Sequence, residues 1–314
     1  MVTVRVGTRT SALAIWQTEH VLALWRAREP KLEVEIVPFS SVGDDHADAP
    51  LERMEGTGFF SSTLERALLE GAIDVAVHSY KDLPVEVTPG LTVACTPARG
   101  AVEDVLCARD GLRLNELPPG SRVGTSSLRR IAQLRALRPE LEYVPLRGNV
   151  PTRLARLERG GLDAVVLARA GIERLGLGAR ATQIFGPDAL LPAPAQGALA
   201  VQTRSGARRL NARLAPLDHA PTRAAVEAER TLLHALHGGC SVPVAALAEV
   251  RGDRIRLEAG VFALEGAPTF RVTCEGDTPE AVGGSAARAL LELGAGVVLE
   301  ALARVPRLTI EAKS

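Results

Sequence analysis

Apolar positions along the chain switch between alternate spacing and helical spacing, and this predicts an α/β protein. Val2-Thr3-Val4-Arg5-Val6 reads as a strand. Residues 11–28 carry Leu13, Trp16, Val21 and Leu24 at helical spacing, with Ser11 placed to cap the helix. Residues 32–37 form a second strand, 64–70 a helix and 73–77 a buried strand. Val6-Gly7-Thr8-Arg9-Thr10-Ser11 then resembles Val123-Gly124-Thr125-Ser126-Ser127, and each run closes a strand and opens a helix. A pseudo-repeat of two lobes is expected from this. The Pro-rich run 191–195, followed by Gln196-Gly197, reads as a hinge back to the first lobe. After Pro216 the pattern changes to a helix at 221–236, strands at 242–250, 254–264 and 269–274, and a final helix near 279–293. The expected domains are 1–97 with 198–215, then 98–197, then a small α+β domain at 216–314.

Composition narrows the class. Hydrophobic content of 46% with 24% charged residues suits a soluble globular protein, and no apolar run is long enough to span a bilayer. The N-terminus lacks an apolar signal segment, so a cytoplasmic location is expected. A formal net charge of zero argues against a general nucleic-acid binder. Cys95, Cys107, Cys240 and Cys274 are far apart without a CxxC pair, so neither a disulfide framework nor a metal site is suggested. Cys95, Cys107 and Cys274 read as core filler. Charge is unevenly spread: residues 122–180 hold twelve arginines and no lysine against five acids, a net of +7. Lysine occurs only at positions 31, 81 and 313, which singles out Lys81 inside a motif.

Arginines stand where helices begin. A helix N-terminus is partially positive, so a cation there is unfavourable by about 0.3–1 kcal/mol unless an anion is present. Gly124-Thr125-Ser126-Ser127-Leu128-Arg129-Arg130 puts two arginines in the first turn of a helix capped by Ser126 or Ser127. Arg147 and Arg153 flank a second start with Asn149 or Thr152 as cap and Pro151 in the first turn. Arg9 beside Ser11 is a third case, and Arg174, after the strand at 164–167, is taken as a fourth. Together they point to a ligand with several carboxylates or phosphates; solvent-facing arginines are the plainer reading of any one case. His78-Ser79-Tyr80-Lys81-Asp82-Leu83-Pro84 lies just past the carboxyl end of a buried strand, where open α/β sheets bind ligands. Lys81 can pair with an anion and Asp82 can hold N–H donors, or the two form a surface ion pair. Cys240 follows Gly238-Gly239 and is either a reactive loop thiol or a buried inert one, with a zinc site from His234, His237 and Cys240 a remote third option.

Taken together, these segments resemble the hydroxymethylbilane synthase (porphobilinogen deaminase) family. The likeness rests on Arg9 with Ser11 and Trp16-Gln17, on 78–84, on 124–130, on Leu146-Arg147-Gly148-Asn149 with Thr152-Arg153, on Pro194-Ala195-Gln196-Gly197-Ala198, and on Gly238-Gly239-Cys240. The resemblance implies two α/β lobes like those of type II periplasmic binding proteins and a small α+β C-terminal domain. It implies a dipyrromethane cofactor bonded by a thioether to Cys240. Porphobilinogen would be the substrate, joined in four steps to the primer and released by hydrolysis as a linear tetrapyrrole. The positions of Lys81, Asp82, Thr125, Ser127, Arg129 and Arg130 are those that hold the cofactor. Those of Arg9, Ser11, Arg147, Arg153, Arg174 and Gln196 face the incoming or growing oligopyrrole. Asp82 would be catalytic, stabilising the azafulvene cation left when porphobilinogen loses ammonia. A monomer is implied, with no nucleic acid, membrane or metal.

The chain departs from the family between Ser41 and Leu64. The usual Gly-Lys-Gly-Leu-Phe and a further lysine are replaced by Glu55-Gly56-Thr57-Gly58-Phe59-Phe60-Ser61-Ser62. Phe60 keeps an aromatic ring for stacking on a pyrrole, while anion contacts from the lysines are lost. Two rivals share some of these features: a non-catalytic two-lobed anion-binding protein, and a Cys240-dependent transferase or hydrolase using His234 or His237.

Overall fold

The computed structural model describes residues 3–39, 62–236 and 242–303, and its strands form three sheets. The chain opens with β1 (Val4–Arg9), α1 (Ala12–Arg28), β2 (Val34–Phe39), α2 (Ser62–Leu69), β3 (Val75–Ser79) and β4 (Leu91–Cys95). It continues through β5 (Asp104–Ala108), β6 (Arg122–Gly124), α3 (Leu128–Leu137), β7 (Glu142–Val144) and α4 (Val150–Glu158). Then come β8 (Ala164–Ala168), α5 (Arg169–Arg174), β9 (Gln183–Phe185), β10 (Leu199–Arg204) and α6 (Arg208–Leu214). Last are α7 (Ala220–Ala235), β11 (Val244–Arg251), β12 (Arg254–Phe262), β13 (Thr269–Gly276), α8 (Pro279–Glu292) and α9 (Gly296–Ala303).

The two larger sheets run β2-β1-β3-β10-β4 and β7-β6-β8-β5-β9. In each, the second strand is parallel to both neighbours and the fourth is antiparallel to both of its own. The lobes therefore match strand for strand, and the short Val-Gly-Thr echo marks the same place in both. The shared glycine has a packing cause: a Cβ at Gly7 would collide with Ile73, and one at Gly124 with Leu146 and Leu162. Each lobe keeps its own apolar core, around Trp25, Val75 and Val201 in the first and around Leu106, Val123 and Phe185 in the second.

The reversed fourth strands make the chain cross between the lobes twice. The two crossings lie side by side, with the Gly100 N–H donating to the Gly197 carbonyl at 3.1 Å and Arg99 Nε to the Gln196 carbonyl at 2.7 Å. Gly197 has φ +85°, and a Cβ there would collide with the carbonyls of Gly100 and Ala101, so the pairing requires glycine. Gln196-Gly197 lies on the second of these crossings, just before β10 enters the first sheet.

Ser11 caps α1 by accepting from the Ala14 N–H, as expected, but the buried face differs from the expected one. Ala14, Gln17, Thr18, Val21, Leu22 and Trp25 face the core, while Leu24 is exposed and Leu13 and Trp16 are only partly buried. Polar Gln17 can turn inward because Ser79 Oγ accepts its amide at 2.9 Å. In the third sheet, order β11-β12-β13, antiparallel strands carry α7 and α8 over a core of Leu232, Leu257, Val261 and Leu290. The helix near 279–293 is not the last; α9 follows it. Cys95 and Cys107 are buried as expected, whereas Cys274 on β13 is only partly so.

Glu229 on α7 ties these parts together. Its fully buried carboxylate accepts from Arg99 Nη1 at 2.6 Å and Nη2 at 3.0 Å, and from the N–H groups of Ala195 at 2.6 Å and Ala248 at 2.8 Å. One side chain thus joins both crossings to the third sheet. Removing one partner of a buried ion pair strands the other, at a cost of about 3–5 kcal/mol. Glu229→Ala is expected to lower unfolding free energy by about that amount in urea titrations, and the double variant with Arg99→Met to recover part of it.

Candidate active site

The segment after β3 is held from several sides. Strand β3 is buried, and the Tyr80 N–H donates to the Ala198 carbonyl at 3.0 Å as the chain makes one 3-10 turn, Tyr80–Asp82. Leu83 is extended, as the residue before a proline must be, so the turn stops there. Arg230 from α7 stacks on the Tyr80 ring at 4.8 Å and donates to the carbonyls of Leu83, Pro84 and Val85. Lys81 and Asp82 therefore project from a pinned turn at the carboxyl end of a central strand. Asp82 lines one cavity with Arg9, Ser11, Gln17, His78 and Ser79. His78 is buried, and burial, with Arg9 nearby, pushes its imidazole down to about 4, so it is neutral at neutral pH. A larger cavity of 410 Å³ beside Arg109, Ser121 and Asp163 lies at the amino ends of β6 and β8, away from this chemistry.

Thr125, Ser127, Arg129 and Arg130 behave differently from the expected picture of an anion clamp. Ser127 occupies the N-cap position of α3 but its hydroxyl makes no cap bond, and Thr125 Oγ1 instead accepts from the Ser127 N–H at 3.2 Å. Ser126 is used by the fold, exchanging hydrogen bonds with the backbone of Leu146. Arg129 and Arg130 turn inward, 3% and 6% exposed, onto an anion that belongs to the chain. Asp104, the first residue of β5, accepts from Arg129 Nη2 at 2.7 Å and from Arg130 Nε at 3.1 Å and Nη2 at 2.7 Å. Burial opposes that carboxylate, yet the two guanidinium groups hold it well below the usual carboxylate range. No motif pointed to Asp104. The available signal was an acid at the head of the apolar run Val105-Leu106-Cys107, since a buried carboxylate must be paired.

Gln196 also needs correction, because it was expected to face substrate. It is fully buried with its amide in use: Nε2 donates to the Val102 carbonyl at 2.7 Å and to Asp104 Oδ1 at 3.0 Å, and Oε1 accepts from Lys81 Nζ at 3.2 Å. Arg174 is a second correction. It lies in the last turn of α5, where a cation suits the helix dipole, and not at a helix start. Its Nη2 donates to the Gly197 carbonyl at 2.7 Å and its guanidinium sits 5.6 Å from the Trp16 ring centroid.

Arg147 and Arg153 keep their expected place. Asn149 caps α4 by accepting from the Thr152 N–H at 3.0 Å, Pro151 is in the first turn, and Arg153 Nε donates back to the Gly148 carbonyl at 2.7 Å. Burial pushes Arg153 down to about 10; the positive charges of Arg130 and Arg147 add to this, and Asp82 works against it. Burial likewise pushes Lys81 down to about 8, with Asp82 and Asp104 opposing and Arg130 and Arg129 reinforcing. These mutual influences put Lys81, Asp82, Arg130, Arg147 and Arg153 in one electrostatic neighbourhood spanning both lobes. Phe60 and Cys240 lie outside the described residues. Helix α7, which is docked on the Tyr80–Asp82 turn through Arg230, ends at Ala235, seven residues before Val242. His234, one candidate partner for a catalytic cysteine, is exposed.

This donor set fits a bound dipyrrole with acidic side chains. Cations outnumber Asp82 around the turn, Ser127 Oγ is not spent on its helix, and Arg129 Nε is a buried donor with no acceptor among the described residues. Asp82 offers the acceptor that pyrrole N–H groups need.

Comparison with known proteins agrees with this geometry. Residues 4–212 match the family profile described as porphobilinogen deaminase, dipyromethane cofactor binding domain, and residues 223–292 match porphobilinogen deaminase, C-terminal domain. A porphobilinogen deaminase of Stenotrophomonas maltophilia is 50% identical over 301 residues, covering 95% of this chain and 99% of the relative. One from Xanthomonas oryzae is 47% identical over 304 residues, covering 96% and 100%. The solved methionine binding protein MetQ overlaps 68% of this chain and 89% of its own at TM-score 0.45 and 14% identity, too distant to add to what the strand orders show. The chain belongs to the porphobilinogen deaminase family, whose members join porphobilinogen on a covalent dipyrromethane.

Proposed function

We propose that the cleft between the two lobes carries out the family's reaction with Asp82 at the reacting centre and Cys240 as the anchor of the cofactor. The observation that carries this reading is the pinned Lys81-Asp82 turn, tied through the Gln196 amide to Asp104 and so to Arg129 and Arg130 of the other lobe. The dipyrromethane supplies a free pyrrole carbon as the nucleophile that each porphobilinogen meets. Lys81, Thr125, Ser127, Arg129 and Arg130 hold its acetate and propionate groups. Arg9, Ser11, Arg147, Arg153 and Arg174 receive the carboxylates of the incoming and growing oligopyrrole, with Phe60 stacking on a ring. Asp82 accepts pyrrole N–H donors and offsets the positive charge that develops as porphobilinogen loses ammonia, in a partly dry site where such a charge is strongly felt. Gln196 acts behind these groups and not on substrate. After four additions, water frees the linear hydroxymethylbilane.

The same reading divides the chain into 1–97 with 198–215, 98–197 and 216–314, supported by the three sheets and the two crossings between the lobes. It takes the protein as a cytoplasmic monomer that engages neither nucleic acid nor membrane; the zero formal net charge supports the nucleic-acid part.

Intact-mass spectrometry of the purified chain should show the sequence mass plus two linked pyrroles, and Cys240→Ser should lack the addition. An unmodified wild-type mass would sink the cofactor assignment. Asp82→Ala should keep the added mass and the fold while turnover drops by about a hundredfold or more. Steady-state rates near wild type in that variant would remove Asp82 from the chemistry. Without cofactor Lys81 loses its charge above about 8, and the carboxylates it receives raise that midpoint, so competitive acylation across pH should find it higher in the loaded wild type than in Cys240→Ser.

A further inference from the structure

We propose that Asp104 is a positioning residue for this reaction: with the Gln196 amide, its buried carboxylate sets the cations that receive the cofactor. The inference rests on the dipyrrole reading above and deepens it. Asp104 accepts four hydrogen bonds, two from Arg130, one from Arg129 and one from Gln196. It is fully buried, so none of its capacity goes to water.

The remaining contacts show what this arrangement achieves. Arg129 Nη1 donates to the Leu191 carbonyl at 2.7 Å and Arg130 Nη1 to the Val166 carbonyl at 2.9 Å, so each guanidinium plane is fixed at two points. Gln196 passes the same influence to the other lobe, because Lys81 Nζ donates to its Oε1 while its Nε2 donates to Asp104. A continuous chain of bonds thus runs from Lys81 through the hinge to both arginines. Three cations aimed at one ligand repel one another when it is absent. A single internal carboxylate offsets that repulsion from within the fold.

A residue that only stabilised the fold would not control the ionisation of Lys81 across the hinge. The test therefore compares wild type, Asp104→Asn, Asp104→Glu and Gln196→Met as full-length chains. Intact mass gives the fraction carrying the dipyrrole. Competitive acylation across pH, in a Cys240→Ser background and read by peptide mass, gives the midpoint at which Lys81 loses its proton, separately from Lys31, Lys313 and the α-amino group. Circular dichroism reports folding. In Asp104→Asn the loaded fraction should fall about tenfold, the loss of a charged hydrogen-bond acceptor. The Lys81 midpoint should move about half a pH unit to the acid side, because an opposing charge is gone. Asp104→Glu should restore the midpoint. Gln196→Met, which leaves the Asp104–arginine pairs intact, should move it in the acid direction as well. Full loading and an unchanged midpoint in Asp104→Asn overturn the proposal. Should that variant fail to fold, an unchanged midpoint in Gln196→Met overturns it equally. A wild type without added mass overturns the dipyrrole reading itself, and the Lys81 midpoint still decides whether Asp104 governs that ammonium.

Discussion

Like charges gathered around one cleft repel, and a protein that recognises a polyacid must hold them together before the acid arrives. Here the problem is met inside the fold. Asp104 is buried beneath Arg129 and Arg130 and accepts from both, while Gln196 connects it to Lys81. The internal carboxylate keeps the guanidinium planes oriented, so a ligand finds donors already aimed. The arrangement also explains why two arginines tolerate the first turn of α3. The anion set against those two arginines is built into the fold.

The hinge depends on the same set of contacts. Lys81 bonds to Gln196, Arg174 to the Gly197 carbonyl, and Arg99 to the Gln196 carbonyl and to Glu229. Residues that grip anions are thereby attached to the two strands that join the lobes. Glu229 extends the coupling to the third sheet, whose helix α7 also pins the Asp82 turn through Arg230. Site geometry and lobe arrangement are therefore one mechanical problem in this molecule.

Much of this was legible in the chain. Periodicity located α1, β3, α7 and the three strands of the last sheet to within a few residues, and Val-Gly-Thr marked both lobes because the glycine is enforced by close packing on β1 and β6. Helix-start arginines pointed to the anion site. The illegible parts share one physical cause: they are satisfied by partners distant in sequence. Asp104 is 25 residues from Arg129, and Glu229 is 130 from Arg99, so no local pattern announces either pair. Gln17 is a polar residue on a buried helical face because Ser79, 62 positions on, completes its hydrogen bond. Arg174 was misplaced because α5 begins directly after β8, which put the arginine at the end of a short helix where its opening was expected.

The contrast between Gln196 and Asp82 separates the roles within one motif-rich site. Both belong to segments that point to function; Asp82 borders a cavity, and both ends of the Gln196 amide bond to protein groups. The Gln196 amide links groups of both lobes, taking a bond from Lys81 and giving one to Asp104. Depth orders these groups: Asp104 and Gln196 are fully buried, Arg129 and Arg130 nearly so, and Lys81 and Asp82 only partly. The depth of a polar residue, and not its presence in a motif, decides which of these tasks it performs.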